Sequence, residues 1–369
     1  MPGVHAKLSA SGAAMWMACP ASVRLSQGIT ETTSVHAAEG TAAHALAEMC
    51  LRDGADTNVH LEDNVEGFVV TDEMADAVQI YLDYVRALPG DLRVEERVRF
   101  DDYVPEGFGT VDALNLGDDG TIYITDLKYG RGVQVDAENN PQAMCYALGA
   151  LADYGFVDEF ETVAIAIVQP RLDHISEWRT TVAELRTWAE QTLGPAAQVA
   201  LTDNAPAVPG EKQCRWCRAK GSCRVLADHV RALACEGFGG AEPELLAPDQ
   251  LGACLDAVPL IKGWIEAVHA HALGVLRRGD PVPGWKMVEG RAQRRWDDET
   301  TVEKALTRAK IKAADRFTKK LISPAQAEKL LGKEHALLAR HIVRPDGAPT
   351  LAPANDKRPA LDLDPTAGF

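Results

Sequence analysis

Three side chains in one stretch of the sequence have the types and spacing for hydrolysis at phosphorus: Asp112 in GTVDALNL, and Asp126 with Lys128 in ITDLKYG. Two carboxylates at the ends of neighbouring strands can grip a divalent cation through oxygen, a donor set that suits Mg2+ or Mn2+. Side chains alternate along a strand, so Asp126 and Lys128, two apart, share a face. A carboxylate and an ammonium then flank one water. The bound ion would lower that water's pKa, and the lysine would orient it or offset charge developing on a phosphate. D-x-K alone is a common strand ending; the apolar run Ile122, Tyr123 and Ile124 before it, and Gly109 three residues ahead of Asp112, give it context.

Further residues can join this set. Gln142 and Tyr146 lie four apart and share a helix face, where Tyr146 is either a core aromatic or a partner of Gln142 in holding a nucleic-acid strand. His44 in EGTAAHALAE is a structural histidine or the nitrogen ligand of a manganese-tolerant site. Glu96 adds a possible carboxylate, with Glu95 expected to point the opposite way.

A second centre is readable in the cysteines, eight in all. Cys214, Cys217 and Cys223 give C-x2-C-x5-C in EKQCRWCRAKGSCR, and three thiols so close in one loop favour a single metal, with Cys19 of MWMACPAS as the fourth ligand. The alternatives are structural Zn2+ and a 4Fe-4S cluster tying the N-terminal segment to the far end of the core. Cys50, Cys145, Cys235 and Cys254 sit in helical patterns as small buried hydrophobes.

The elements that must hold these groups follow from periodicity. Helices are expected at 36–53 and about 71–88, then three strands joined by tight turns within 93–128. A helix follows at 139–153, with Asn140 as N-cap and Pro141 at the first helical position. A buried strand (161–170), a helix (182–201), a cysteine loop (211–224) and helices at 225–236 and about 249–278 come next. Beyond them are expected a strand pair at 283–296, three amphipathic helices in 299–341 and an extended Pro/Asp-rich tail. The expected division is a core of 1–235, a basic, mainly helical region of 236–344 and a tail of 345–369.

Hydrophobic residues make up 46% of the 369-residue chain, yet no apolar run reaches the roughly 18 residues of a membrane span. No basic leader precedes an apolar segment, so a cytoplasmic protein is expected. The net charge of −16 argues against indiscriminate nucleic-acid binding. Its distribution is uneven: residues 1–270 hold 19 basic and 41 acidic side chains, whereas 271–344 hold 17 and 9, which makes that segment either a set of solvated helix faces or a phosphate-contacting surface.

The ordered set of His44, G-x-x-D ending at Asp112, D-x-K at Asp126 and Lys128, and Q-x-x-x-Y at Gln142 and Tyr146 resembles the RecB-like branch of the PD-(D/E)XK nucleases. The cysteine arrangement is similar to that of the iron–sulfur nucleases of the branch, the Cas4 and AddB types among them. Over nearly the whole chain, phrases such as DLKYGRGVQVDAENNPQAMCYALGAL, GWKMVEGR and PTLAPANDKRPA are similar to the phage and prophage family DUF2800. The resemblance implies an α/β fold with a restriction-endonuclease-like core: a central mixed sheet flanked by helices, a Cys-rich metal clip and a C-terminal helical extension. It implies a phage- or prophage-encoded exonuclease in the bacterial cytoplasm, acting on single- or double-stranded DNA in recombination or replication, with a phage recombination or replication protein as partner and no membrane. His44, Asp112 and Asp126 would bind metal, Lys128 would act on the water or transition state, and Gln142 and Tyr146 would organise substrate. Where the chain departs from that pattern, in the glycine-bearing turn after Lys128, Arg131 is expected near the scissile phosphate. The resemblance also implies that the tail is ordered against the body. The rival readings are a non-catalytic DNA-binding protein that keeps the fold and binds through 271–344, and a zinc-braced structural phage protein.

Overall fold

Polar caps and apolar stripes set the helices that carry the site. In the computed structural model, which describes residues 6–29, 34–156, 159–236 and 248–286, two short helices, α1 (Ala13–Ala18) and α2 (Ala21–Leu25), precede α3 (Val35–Asp53). Ser34 caps α3 by accepting from the Ala37 N–H, and Gly54 ends it at φ 67°, a conformation glycine adopts without strain. A small hairpin of β1 (Asn64–Val65) and β2 (Phe68–Val69) leads into α4 (Asp72–Ala87). Thr71 caps α4, Asp72 and Glu73 favour its dipole in the first turn, and the stripe Met74, Val78, Tyr81, Leu82 and Val85 is buried.

One five-stranded mixed sheet follows: β3 (Asp91–Arg99), β4 (Phe108–Leu116), β5 (Thr121–Leu127), β6 (Thr162–Gln169) and β7 (His174–Thr181), in that spatial order. Pairing is antiparallel except between β5 and β6, which run parallel. A parallel neighbour requires a crossover, and α5 (Pro141–Tyr154) supplies it. Asn140 caps α5 by accepting from the Gln142 and Ala143 N–H groups, with Pro141 next, as the sequence predicts.

Helices cover both faces of the sheet. On one side α5 packs with Val111, Leu114, Ile122, Ile124, Ile165 and Ile167; on the other, residues of α3 and α4 pack with Ala113, Leu127 and Val168. The two core clusters hold β5 buried along its whole length.

The expected passage from the 161–170 strand to the next helix omits β7. Asp173 turns the chain at φ 52°, and β7 returns antiparallel to β6 before α6 (Val182–Trp188) and α7 (Gly194–Ala200). Three more helices, α8 (Glu211–Arg215), α9 (Arg224–Glu236) and α10 (Pro248–Arg277), follow, and Leu260, Ile261 and Trp264 of α10 pack against Cys214, Leu226 and Val230. Among the described residues, no helix is long and apolar enough to cross a membrane.

The described residues all fall in one compact unit within 1–288, and residues 289–369 lie outside them. The expectations for residues 287–296, 299–341 and 345–369 fall outside them as well, so most of the basic segment does.

Candidate metal centre

The alternation of β3 and β4 breaks where the site forms. On β4, Val111 and Leu114 face the α5-side core while Ala113 joins the α3/α4-side core. On β3, Val98 lies in the α5-side core and Leu92 packs on the other side, although both are even-numbered. The cause is Glu95, whose backbone sits at φ 52°, left-handed for a non-glycine residue. Register is kept across the kink, with Val94 opposite Ala113 and Glu96 opposite Val111, so Glu95 stands opposite Asp112. Such strain costs on the order of 1–3 kcal/mol and persists only where the surroundings enforce it.

The kink corrects the expectation for β3. Glu95, not Glu96, faces the site: ligand atoms of His44, Glu95 and Asp112 lie within 4.8 Å of one another. Glu96 instead accepts from the Tyr154 hydroxyl of α5 at 2.7 Å. His44 Nδ1 is 3.4 Å from Asp112 Oδ1, and Asp112 Oδ2 accepts from the Leu127 N–H at 2.8 Å, which ties β4 to the end of β5.

Asp126, expected as a ligand with His44 and Asp112, falls outside this trio; it is buried at 2% exposure and close enough to feel the charges of Asp112 and His44. Lys128 Nζ donates to its Oδ1 at 3.0 Å and lies 2.7 Å from Oδ2 without hydrogen-bonding geometry. Oδ2 is thus held by the ion pair with Lys128 alone. Gln142 braces the pair: its Nε2 donates to Asp126 Oδ1 at 3.1 Å, and its Oε1 accepts from Lys128 at 3.2 Å. Gln142 and the Tyr146 hydroxyl meet at 3.1 Å. Gly109 permits this closeness, since a Cβ there would lie 2.5 Å from Tyr146 Cε1. Tyr146 is thus both a core aromatic and a member of the polar network.

The electrostatics are crowded. Burial and the neighbouring Asp112 push Glu95 up to about 7. Burial, with Asp112 adding to it, raises Asp126 against the pull of Lys128. Burial opposes the charges of His44, Asp112 and Lys128, yet their partners outweigh it: His44 and Lys128 are raised and Asp112 is lowered. Tyr81 of α4 packs around the same point as His44, Glu95 and Asp112, and its buried hydroxyl has no hydrogen-bond partner.

Arg131 is not brought to this network. It pairs with Glu73 of α4, which Arg171 also meets at 3.1 Å.

The four predicted cysteines converge. Cys19, Cys214, Cys217 and Cys223 line one small cavity, although Cys19 is almost two hundred residues from the others. The Val208 N–H donates to Cys19 Sγ at 3.3 Å, and the Gly210 N–H to Cys214 Sγ at 3.4 Å. Burial raises the Cys214 and Cys217 thiols. Cys50 and Cys145 are buried in helices, and Cys254 is partly exposed; the side chain of Cys235 lies outside the described ones.

The sequence profile of a family described as "Protein of unknown function (DUF2800)" matches residues 5–359. The chain belongs to the DUF2800 family. Among solved structures, that of SSO0001 is 14% identical, with 59% of this chain and 85% of that chain covered at a TM-score of 0.26. Two groups in this DUF2800 chain escape reading by motif, Glu95 and Tyr81. A two-residue period puts Glu95 on the wrong face, and Tyr81 is indistinguishable in the sequence from the apolar stripe around it.

Proposed function

We propose that this DUF2800 protein is a Mg2+- or Mn2+-dependent deoxyribonuclease of the PD-(D/E)XK type, RecB-like, working as an exonuclease on single- or double-stranded DNA in phage recombination or replication. The carrying observation is the convergence of His44, Glu95 and Asp112, with the buried Asp126–Lys128 ion pair on the neighbouring strand. One nitrogen and several carboxylate oxygens make a donor set for those ions. When bound, such an ion supplies Lewis acidity and lowers the pKa of a water. The chain's own residues do the rest. Lys128, held protonated by Asp126 and Asp112, orients the attacking water or offsets charge on the scissile phosphate. Gln142 fixes the lysine's position, and Tyr146 fixes Gln142.

The same reading gives the cysteines a 4Fe-4S cluster. Cys19, Cys214, Cys217 and Cys223 line one cavity, and four thiolates there suit such a cluster, with Zn2+ as the alternative that iron analysis separates.

The test is cleavage of end-labelled DNA by wild type and Lys128→Ala under anaerobic, manganese-replete conditions. Shortening by the wild type alone supports the proposal. Intact DNA with both proteins would sink it and leave a DNA-binding protein that keeps the fold.

A further inference from the structure

The face of the sheet turned away from α5 carries a recess of about 330 Å³ that the metal centre does not use. Its floor consists of two cross-strand rows. Tyr123, Ala164 and Arg179 are consecutive partners across β5, β6 and β7, and Thr125, Ala166 and Glu177 form the adjacent row. Alternation places these side chains on one side, because Ile122, Ile124 and Ile165 of the same strands lie in the α5-side core. The two alanines leave a trough along β6 between larger neighbours, roughly 10 Å wide at two strand spacings. Tyr84 of α4 closes one side.

Two features mark the trough as built for a ligand. Thr125 is fully buried and its hydroxyl has no hydrogen-bond partner, an arrangement that is costly unless something bonds to it. Both tyrosines are also pinned: Tyr84 donates to Glu177, and Tyr123 donates to Asp119 at 2.7 Å. The Arg179 guanidinium lies 5.6 Å from the Tyr123 ring centre. A flat floor, rigid aromatic walls, a buried hydroxyl, a carboxylate and a guanidinium suit a planar nitrogen heterocycle bearing an anion. The volume falls in the range of small-molecule sites, about 300–1,000 Å³.

We propose that this recess binds a nucleoside monophosphate with an amino-bearing base. The base lies on Ala164 and Ala166, accepts from the Thr125 hydroxyl and donates its amino group to Glu177, with the phosphate toward Arg179. The site faces away from Asp126, the residue after Thr125, and stands apart from the nuclease reading.

Titration calorimetry on the full chain without divalent ions tests it, so cleavage plays no part. Saturable one-site binding of dAMP is expected, with deoxyadenosine and inorganic phosphate each about tenfold weaker or more. Thr125→Val should weaken dAMP about tenfold, and Ala166→Leu, which fills the trough, should abolish binding while thermal melting reports the fold. Should Ala166→Leu fail to fold, Glu177→Gln at the exposed rim is expected to weaken dAMP about tenfold. A single-stranded oligonucleotide that competes with dAMP would identify the ligand as a strand end, and one that does not compete as free nucleotide. Absence of saturable dAMP binding, phosphate binding as tightly as dAMP, or wild-type affinity in Thr125→Val or Glu177→Gln would each overturn the assignment.

Discussion

The two sides of the candidate centre treat buried charge in opposite ways. Toward α5, Asp126 is matched: Lys128 neutralises it and Gln142 braces both. Toward α3, Glu95 and Asp112 face each other across neighbouring strands with His44 beside Asp112, and Glu95 rises to about 7. One side is a closed hydrogen-bonded chain; the other is short of positive charge. Under the proposed function, a divalent cation would settle that imbalance.

Lys128→Ala should break the matched side with the largest effect, lowering cleavage of end-labelled DNA by about a thousandfold or more while retention in a gel-shift assay persists. It also strands Asp126, so the metal-free variant should melt lower, and adding Asp126→Asn should restore stability without activity. Recovered cleavage in that double variant would remove the pair from the chemistry.

Cys217→Ser tests the proposed cluster at the cysteine cavity. It should lose the broad visible absorbance of an iron–sulfur cluster together with several degrees of melting temperature. Unchanged iron content would end that assignment.

Glu95→Gln sharpens the contrast. Removing the unmatched charge should raise the metal-free melting temperature at neutral pH while weakening Mn2+ binding by about tenfold or more, read by calorimetry. The pH dependence follows from the raised pKa. Protonated Glu95 is the form that the fold prefers, so its contribution is complete below the usual carboxylate range and is lost as pH rises toward about 7. Metal binding needs the deprotonated form and should strengthen over the same interval. A flat Mn2+ affinity between about pH 5 and 8 would exclude Glu95 as a ligand. The smallest effect belongs to Gly109→Ala, which pushes on the Tyr146 ring and should reduce cleavage several-fold with little change in Mn2+ affinity.

Much of this arrangement is legible before folding. D-x-K predicts the Asp126–Lys128 contact because β5 keeps strict alternation, and Asn140 with Pro141 predicts the start of α5 that aims Gln142. Glu95 is not legible in the same way, since one left-handed residue exchanges the faces of β3 and no residue type announces it. β7 escaped because it is an edge strand, whose outward row of Glu177 and Arg179 interrupts the apolar pattern that marks β6. Cys19 is predictable only as a missing fourth ligand, because its meeting with Cys214 is made by the whole fold between them.

That meeting has a consequence for how the chain is made. The Ala21 N–H donates to the Pro206 carbonyl at 3.0 Å, close to the bond from Val208 to Cys19. The segment around Cys19 and Ala21 is therefore synthesised well before the loop at Pro206 and Val208 on which it packs. At about 5–20 residues per second that delay lasts on the order of ten seconds or more, during which Trp16 and its apolar surroundings must be kept from other chains.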